Sequence, residues 1–187
     1  MPKHIIGLVG LAGCGKGAVA EMLKTTYDAD VFRFSTILSD ILKRLAIEKS
    51  RDNLITASVA LRKAFGEDAL SYAIECDAFA SKKNLVVIDG VRRVEDIAAL
   101  EPLDIFQLIH ISVPTEIRYE RMKKRGEKVG ESTMTYAQFL SEEKAPTEMT
   151  IPEVAARASK TIDNAGSTES LHKHITEYMA ELGIAPL

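Results

Sequence analysis

Residues 10–17 read Gly-Leu-Ala-Gly-Cys-Gly-Lys-Gly, a match to G-x-x-x-x-G-K, and few stretches restrict a fold as tightly. Such a loop must wrap backbone N–H groups around phosphate oxygens. Glycines supply the unusual φ values and let the backbone come close. A helix must follow, its positive N-terminal end aimed at the same anion. The lysine adds a point charge at the β and γ phosphates. The flanks comply: residues 4–9, HIIGLV, form an apolar run, and Val19, Met22 and Leu23 follow at helical spacing. The pattern predicts a strand–loop–helix unit that binds ATP through Gly10, Ala12, Gly13, Cys14, Gly15, Lys16, Gly17 and Ala18.

A competing pattern overlaps it. Gly13-x-Gly15-x-x-Ala18 fits the dinucleotide fingerprint, which wants an acidic residue about twenty positions on. Position 33 is Arg33, which could instead suit a 2′-phosphate, but that pattern leaves Lys16 and the later arginines unexplained. The ATP loop has its own departure. The hydroxyl residue that usually follows the lysine, a magnesium ligand, is Gly17 here, and Ala18 brings no hydroxyl either. A magnesium ion would rest on phosphate oxygens, waters and a carboxylate elsewhere.

Further strands are expected at residues 30–34, 84–89, 105–113 and 160–163, the clearest being NLVVID at 84–89. Between them lie helical stretches. Ile37, Leu38, Ile41, Leu42 and Leu45 mark one apolar face, and Val94, Ile97, Ala98 and Leu100 mark a helix after the third strand. Thr135 with Gln138, and Thr150 with Glu153, fit capping boxes. The alternation predicts an α/β, three-layer P-loop NTPase fold with a five-stranded parallel sheet. About fifty helical residues between the second and third strands exceed what a crossover needs. The single domain 1–187 is therefore divided into a core (1–34, 82–125 and 150–187), a substrate-binding helical insert (35–81) and a small lid (126–149), with 126–134 as a mobile loop.

Bulk properties narrow the partners. A net charge of −3 gives no basic coat for nucleic acid. Cys14 and Cys76 make neither a disulfide framework nor a zinc motif. No leader opens the chain, and no apolar run approaches the ~20 residues of a membrane span. A cytoplasmic protein without membrane contact, monomeric or homodimeric, is expected.

Asp89 closes the central apolar strand, where the strand ends of a parallel sheet line a ligand crevice, so it is the candidate to order magnesium, directly or through water. Arg92 and Arg93 follow on the same edge as candidates for a substrate phosphate. Arg118, Arg121 and Arg125 share one helix face and lead into the 126–134 loop. Phosphoryl transfer needs cations that arrive as water leaves, a task for Arg121 and Arg125 above all. Arg62, in the insert, is a candidate anchor for the acceptor's phosphate, and Ser35 joins that set. The four histidines form no metal-ligand set, and His110 is expected in the core. Glu142 and Glu143 read as a solvated helix face.

These features resemble the nucleoside monophosphate kinase family. The loop is similar to the adenylate-kinase form, which also carries Gly after the lysine, and Asp89-Gly90-Val91-Arg92-Arg93 to the family's Asp-Gly-x-x-Arg stretch; Arg121 and Arg125 match its lid arginines. Over nearly the whole chain, adenylate-kinase-related and dephospho-CoA-kinase-like P-loop proteins are similar too, through Leu61-Arg62, Arg118-Tyr-Glu-Arg121 and Ile162-Asp163-Asn164. That resemblance implies Asn164 against the ATP base. Ser39 stands where the family usually has an arginine, so Arg44 or Arg62 would substitute, and Ala158-Ser159 stands for Ala-Asp. The resemblance implies transfer of ATP's γ-phosphoryl group, with Mg2+, to a nucleoside or deoxynucleoside monophosphate. A dephospho-CoA-like hydroxyl acceptor, with Asp89 as base, is the alternative. A nucleotide-dependent switch or slow ATPase whose flat apolar insert binds a protein is the alternative of another class.

Overall fold

The structure, a computed structural model, describes residues 1–126 and 131–187. The strands are β1 (His4–Val9), β2 (Asp30–Arg33), β3 (Leu85–Val91), β4 (Phe106–Ser112) and β5 (Lys160–Asp163). Their order across the sheet is β2-β3-β1-β4-β5, and each pairing is parallel. Parallel pairing forces each connection back across the sheet, so helices cover both faces and the C-terminal strand ends share one edge.

The period of two divides the core. Ile6 and Leu8 turn to one face, where α1 (Lys16–Tyr27) and α9 (Thr168–Glu181) bring Val19, Leu23, Leu171, Ile175 and Met179. Ile5 and Val9 turn to the other face. There α2 (Phe34–Arg44), α4 (Ala69–Ala80) and, further along the chain, residues 151–155 bring Leu38, Leu70, Ile74, Ile151 and Val154. Each such side chain contributes roughly 1.5–3 kcal/mol by leaving water. Between α2 and α4 stands α3 (Arg51–Phe65), capped by Ser50 Oγ, which accepts the Asn53 N–H at 3.1 Å, and ended by Gly66. After β4 come α5 (Thr115–Arg125), α6 (Tyr136–Glu142), α7 (Pro146–Met149) and α8 (Ile151–Ala155). Among the described residues no helix is long and apolar enough to cross a membrane.

Several local expectations need correction. The helix expected after β3 is only a short 3-10 turn, Val94–Ile97. The Asp96 carboxylate caps it by accepting the N–H groups of Arg92 (2.9 Å) and Arg93 (3.1 Å), and Pro102 and the start of β4 leave no room for more. Thr150 forms no cap; its hydroxyl donates to Arg92 O at 2.8 Å. The Thr135–Gln138 box does form. Leu45 lies beyond the end of α2 and is exposed, because the helix runs past the core there. Of the 126–134 loop, residues 127–130 lie outside the described residues.

Candidate active site

The phosphate loop leaves β1 at Gly10 and enters α1 at Lys16, and three other elements shape it. At Gly13 (φ +79°) a side chain would press on Arg118 O, 2.8 Å away. At Gly15 (φ +98°) it would overlap the Asn164 amide. Both positions thus demand glycine twice over, by backbone angle and by crowding. The Asn164 side-chain amide donates to Cys14 O at 2.9 Å, and its own N–H donates to Ser112 O at 2.9 Å. The Arg118 guanidinium donates to Ala12 O at 3.3 Å. Neighbouring protein therefore holds the loop in shape without a ligand, so little ordering remains to oppose binding. Gly17 differs: a Cβ there meets nothing within 4 Å. Ala18 already belongs to the first turn of α1.

The Lys16 ammonium folds back over this loop. It donates to Gly10 O at 2.6 Å and Leu11 O at 3.3 Å, and lies 3.5 Å from Cys14 Sγ. An ammonium carries three donors and no acceptor, and two loop carbonyls and the Cys14 sulfur engage them here.

Across the crevice, Asp89 sits in register with Leu8 of β1 and Arg33 of β2. Arg33 Nε donates to its carboxylate at 2.9 Å. The residue at the fingerprint's acidic position thus partners the candidate magnesium carboxylate. Among the described residues no group of three or more His, Cys, Asp or Glu converges to hold a metal. With Asp89 as its candidate carboxylate, a magnesium ion would take most of its ligands from phosphate and water.

The arginines divide sharply. Arg92 pairs with Glu148 at 2.7 Å and Arg93 with Glu67 at 2.9 Å, both partly exposed at the end of β3. Ser35 and Arg44 are exposed on α2, and Ser35 O accepts the Ser39 hydroxyl at 2.5 Å. Arg62 stands apart from the acceptor set: it is 8% exposed and all three of its nitrogens are engaged. They donate to Asp96 at 2.6 Å, to Ser58 Oγ at 3.4 Å and to Glu67 O. Through Asp96, Arg62 braces the turn that carries Arg92 and Arg93.

On α5, Arg121 reaches Gly166 O at 3.3 Å and Arg125 ends the helix at the surface. Arg118 turns inward and is 2% exposed. It donates to Val113 O at 3.1 Å, Thr115 Oγ1 at 3.0 Å and Glu143, and its guanidinium lies 5.5 Å from the Phe139 ring centre. Glu143 is therefore not a solvated acid: it ties the end of α6 to Arg118, and Arg118 to the phosphate loop. Asn164 is buried against the loop, so it braces Cys14 and Gly15. Local spacing carries no sign of these braces, because each partner is distant in sequence.

Beside the first half of the loop, a cavity of about 510 Å³ opens between α8 and the ends of β4 and β5. His110, Ser112 and Thr161 line it, and their side chains have no hydrogen-bond partner among the described residues. His110 belongs to β4 as expected but is only half-buried. Burial first, then the Lys16 charge, hold its imidazole below the ordinary value, so it is neutral at pH 7.

A family model described as an AAA domain matches residues 6–145. A UPF0200 protein of Pyrococcus abyssi is 32% identical over 176 residues, covering 91% of this chain and 92% of that protein. Among solved structures, TT1252 from Thermus thermophilus superposes with a TM-score of 0.66 at 20% identity, covering 97% of this chain and 99% of the other. A sugar kinase from Janibacter gives 0.59 at 17% identity, covering 99% and 97%. The chain has a P-loop kinase-like fold.

Proposed function

Because the chain belongs to the AAA-domain family and to the UPF0200 proteins, we propose that it transfers the γ-phosphoryl group of ATP to a nucleoside or deoxynucleoside monophosphate. The observation that carries this reading is the braced loop, with the Lys16 ammonium resting on Gly10 O at 2.6 Å and the Asp89 carboxylate across the crevice. When ATP binds, amides of residues 10–18 hold the phosphate tail, and Lys16 exchanges carbonyls for phosphate oxygens, a stronger charge-assisted bond. Asp89, now paired with Arg33, would be the carboxylate that orders magnesium, directly or through water. The ion would neutralise charge on the phosphates, as such ions do in phosphoryl transfer.

Arg121 and Arg125, on the helix that precedes the proposed lid (126–149), would add positive charge where the moving group gathers negative charge. Arg92, Arg93 and Ser35 would hold the acceptor at the edge of the insert, residues 35–81. The pair that Arg93 makes with Glu67 is largely open to water, so an incoming phosphate can displace it at little cost, whereas Glu148, the partner of Arg92, is mostly covered. Positioning and charge neutralisation supply the rate, since a phosphate acceptor needs no base.

The cavity favours a second reading. Its neutral His110, Ser112 and Thr161 suit an uncharged, hydroxyl-bearing acceptor better than a phosphate. A sugar kinase shares the fold.

ADP release measured across nucleoside monophosphates, dephospho-CoA and simple sugars separates the two. Turnover with a monophosphate and none with uncharged acceptors supports the first reading; the reverse supports the second. Lys16→Ala should lower turnover about 10²–10³-fold while leaving the melting temperature intact, the scale seen when one charge-stabilising donor is lost. Full activity in that variant would refute both readings.

A further inference from the structure

One helix of the insert is thinly covered. α3 runs fifteen residues, yet its one buried residue is Arg62, a charged one. Leu54, Ala57 and Leu61 lean partly on the core. The opposite side is open along its whole length: Asp52, Ile55, Thr56, Val59, Ala60 and Lys63 are all exposed. Their spacing of i, i+3, i+4, i+7, i+8 and i+11 puts them on one stripe. Ile55 and Val59, 44% and 59% exposed, are β-branched and gain nothing for the helix by propensity.

More apolar surface lies at both ends. Leu45, 62% exposed, and Ile47 precede the helix, and Phe65, 75% exposed, closes it. Eleven large hydrophobic residues are exposed among the described residues, and six of them (Leu45, Ile47, Ile55, Val59, Phe65 and Tyr72) fall within residues 45–72. Single exposed apolar residues are ordinary; a cluster along one element marks a contact surface.

The charges indicate what covers it. Asp52 stands at one end of the stripe and Lys63 at the other, and neither has an ion-pair partner among the described residues. A two-fold axis between Ala57 and Ser58 would set Asp52 against Lys63 of a second copy, and the reverse. Ile55 would face Ala60, and Thr56 would face Val59. Phe65 would come beside the residues just ahead of the second copy's helix, where Leu45 and Ile47 are open. Self-complementarity of this kind is what an isologous interface requires. A partner of uniform charge would meet repulsion at one end or the other.

We propose that α3 is the two-fold interface of a homodimer, its outward stripe packed antiparallel on the same stripe of a second copy of this chain. At 1.5 Å per residue the helix is about 22 Å long, so the contact falls at the small end of specific interfaces, below about 1,200 Å² in total. The dimer should therefore dissociate on dilution. This inference is independent of the phosphotransferase reading, because mass alone reports it.

Sedimentation equilibrium over a wide concentration range tests it, with circular dichroism confirming that each variant is folded. The native chain should pass from monomer to dimer. V59D should be monomeric throughout, since it places two like charges near the axis. D52K and K63D should each weaken association about five- to tenfold, the scale of two exposed ion pairs, and the double variant D52K/K63D should recover it. A native chain that stays monomeric at every concentration overturns the proposal. So does a dimer whose affinity V59D leaves unchanged, or charge variants that fail to rescue each other.

Discussion

The phosphate loop is eight residues long and is gripped from three sides; α3 is fifteen and leans on the core from one. Three distant elements hold the loop: Asn164 bonds Cys14, Arg118 of α5 bonds Ala12, and β4 lies so close that a Cβ on Gly10 would sit 2.5 Å from Ile111 O. The helix depends on a buried ion pair at one end and partly covered aliphatic residues along its length. The loop is thus rigid before any ligand arrives, whereas the insert is set to move or to be covered. Rigidity serves a site whose ligand is a fixed constellation of phosphate oxygens. Looseness serves an element that must admit and release a substrate, and such elements come from the low-stability end of a fold.

The largest effect that would break this contrast belongs to Arg62. Arg62→Met should destabilise the protein by about 3–5 kcal/mol in urea denaturation, because it leaves Asp96 buried without its partner. Thr56→Ala on the open side of the same helix should stay within about 0.5 kcal/mol. Equal costs at the two positions would show that α3 is held otherwise than described.

Next come two glycines on either side of Lys16. Gly15→Ala should cost about 1–3 kcal/mol of stability for its left-handed backbone alone, and more for the collision with Asn164; calorimetry should show weaker ATP binding with it. Gly17→Ser should be nearly neutral in stability, since its side chain enters open space, and should tighten ATP binding only when magnesium is present.

The smallest effect is a titration. His110 titrates below the ordinary imidazole value through burial and the Lys16 charge. The unfolded chain takes up this proton near pH 6.5 and the folded chain only below that. Stability is therefore lost as pH falls through that window and regained above it. ATP in the loop should offset the Lys16 charge and raise the value, which NMR of the imidazole nitrogens would read. No change on ATP addition would put the phosphates away from Lys16.

The pattern of apolar runs was enough to locate all five strands and the loop, because period and glycine spacing are local signals. The helix expected around Ile97 was not formed, since Asp96 serves as an N–H acceptor and as the Arg62 partner, and sequence spacing shows neither. Glu143 looked solvated because Arg118, the residue that buries it, lies 25 positions away. Arg62 and Asn164 carried family-like positions, yet their contacts turn them into braces. Side chains that meet across the fold were the illegible part.

The Asn164 brace ties the order of synthesis to competence. Its bond to Cys14 spans 150 positions, so the residue that steadies the loop is made long after the loop itself. A partly translated chain carries the glycines and the lysine but no finished cradle. The loop is completed only once the turn after β5 has been made and has docked on β4.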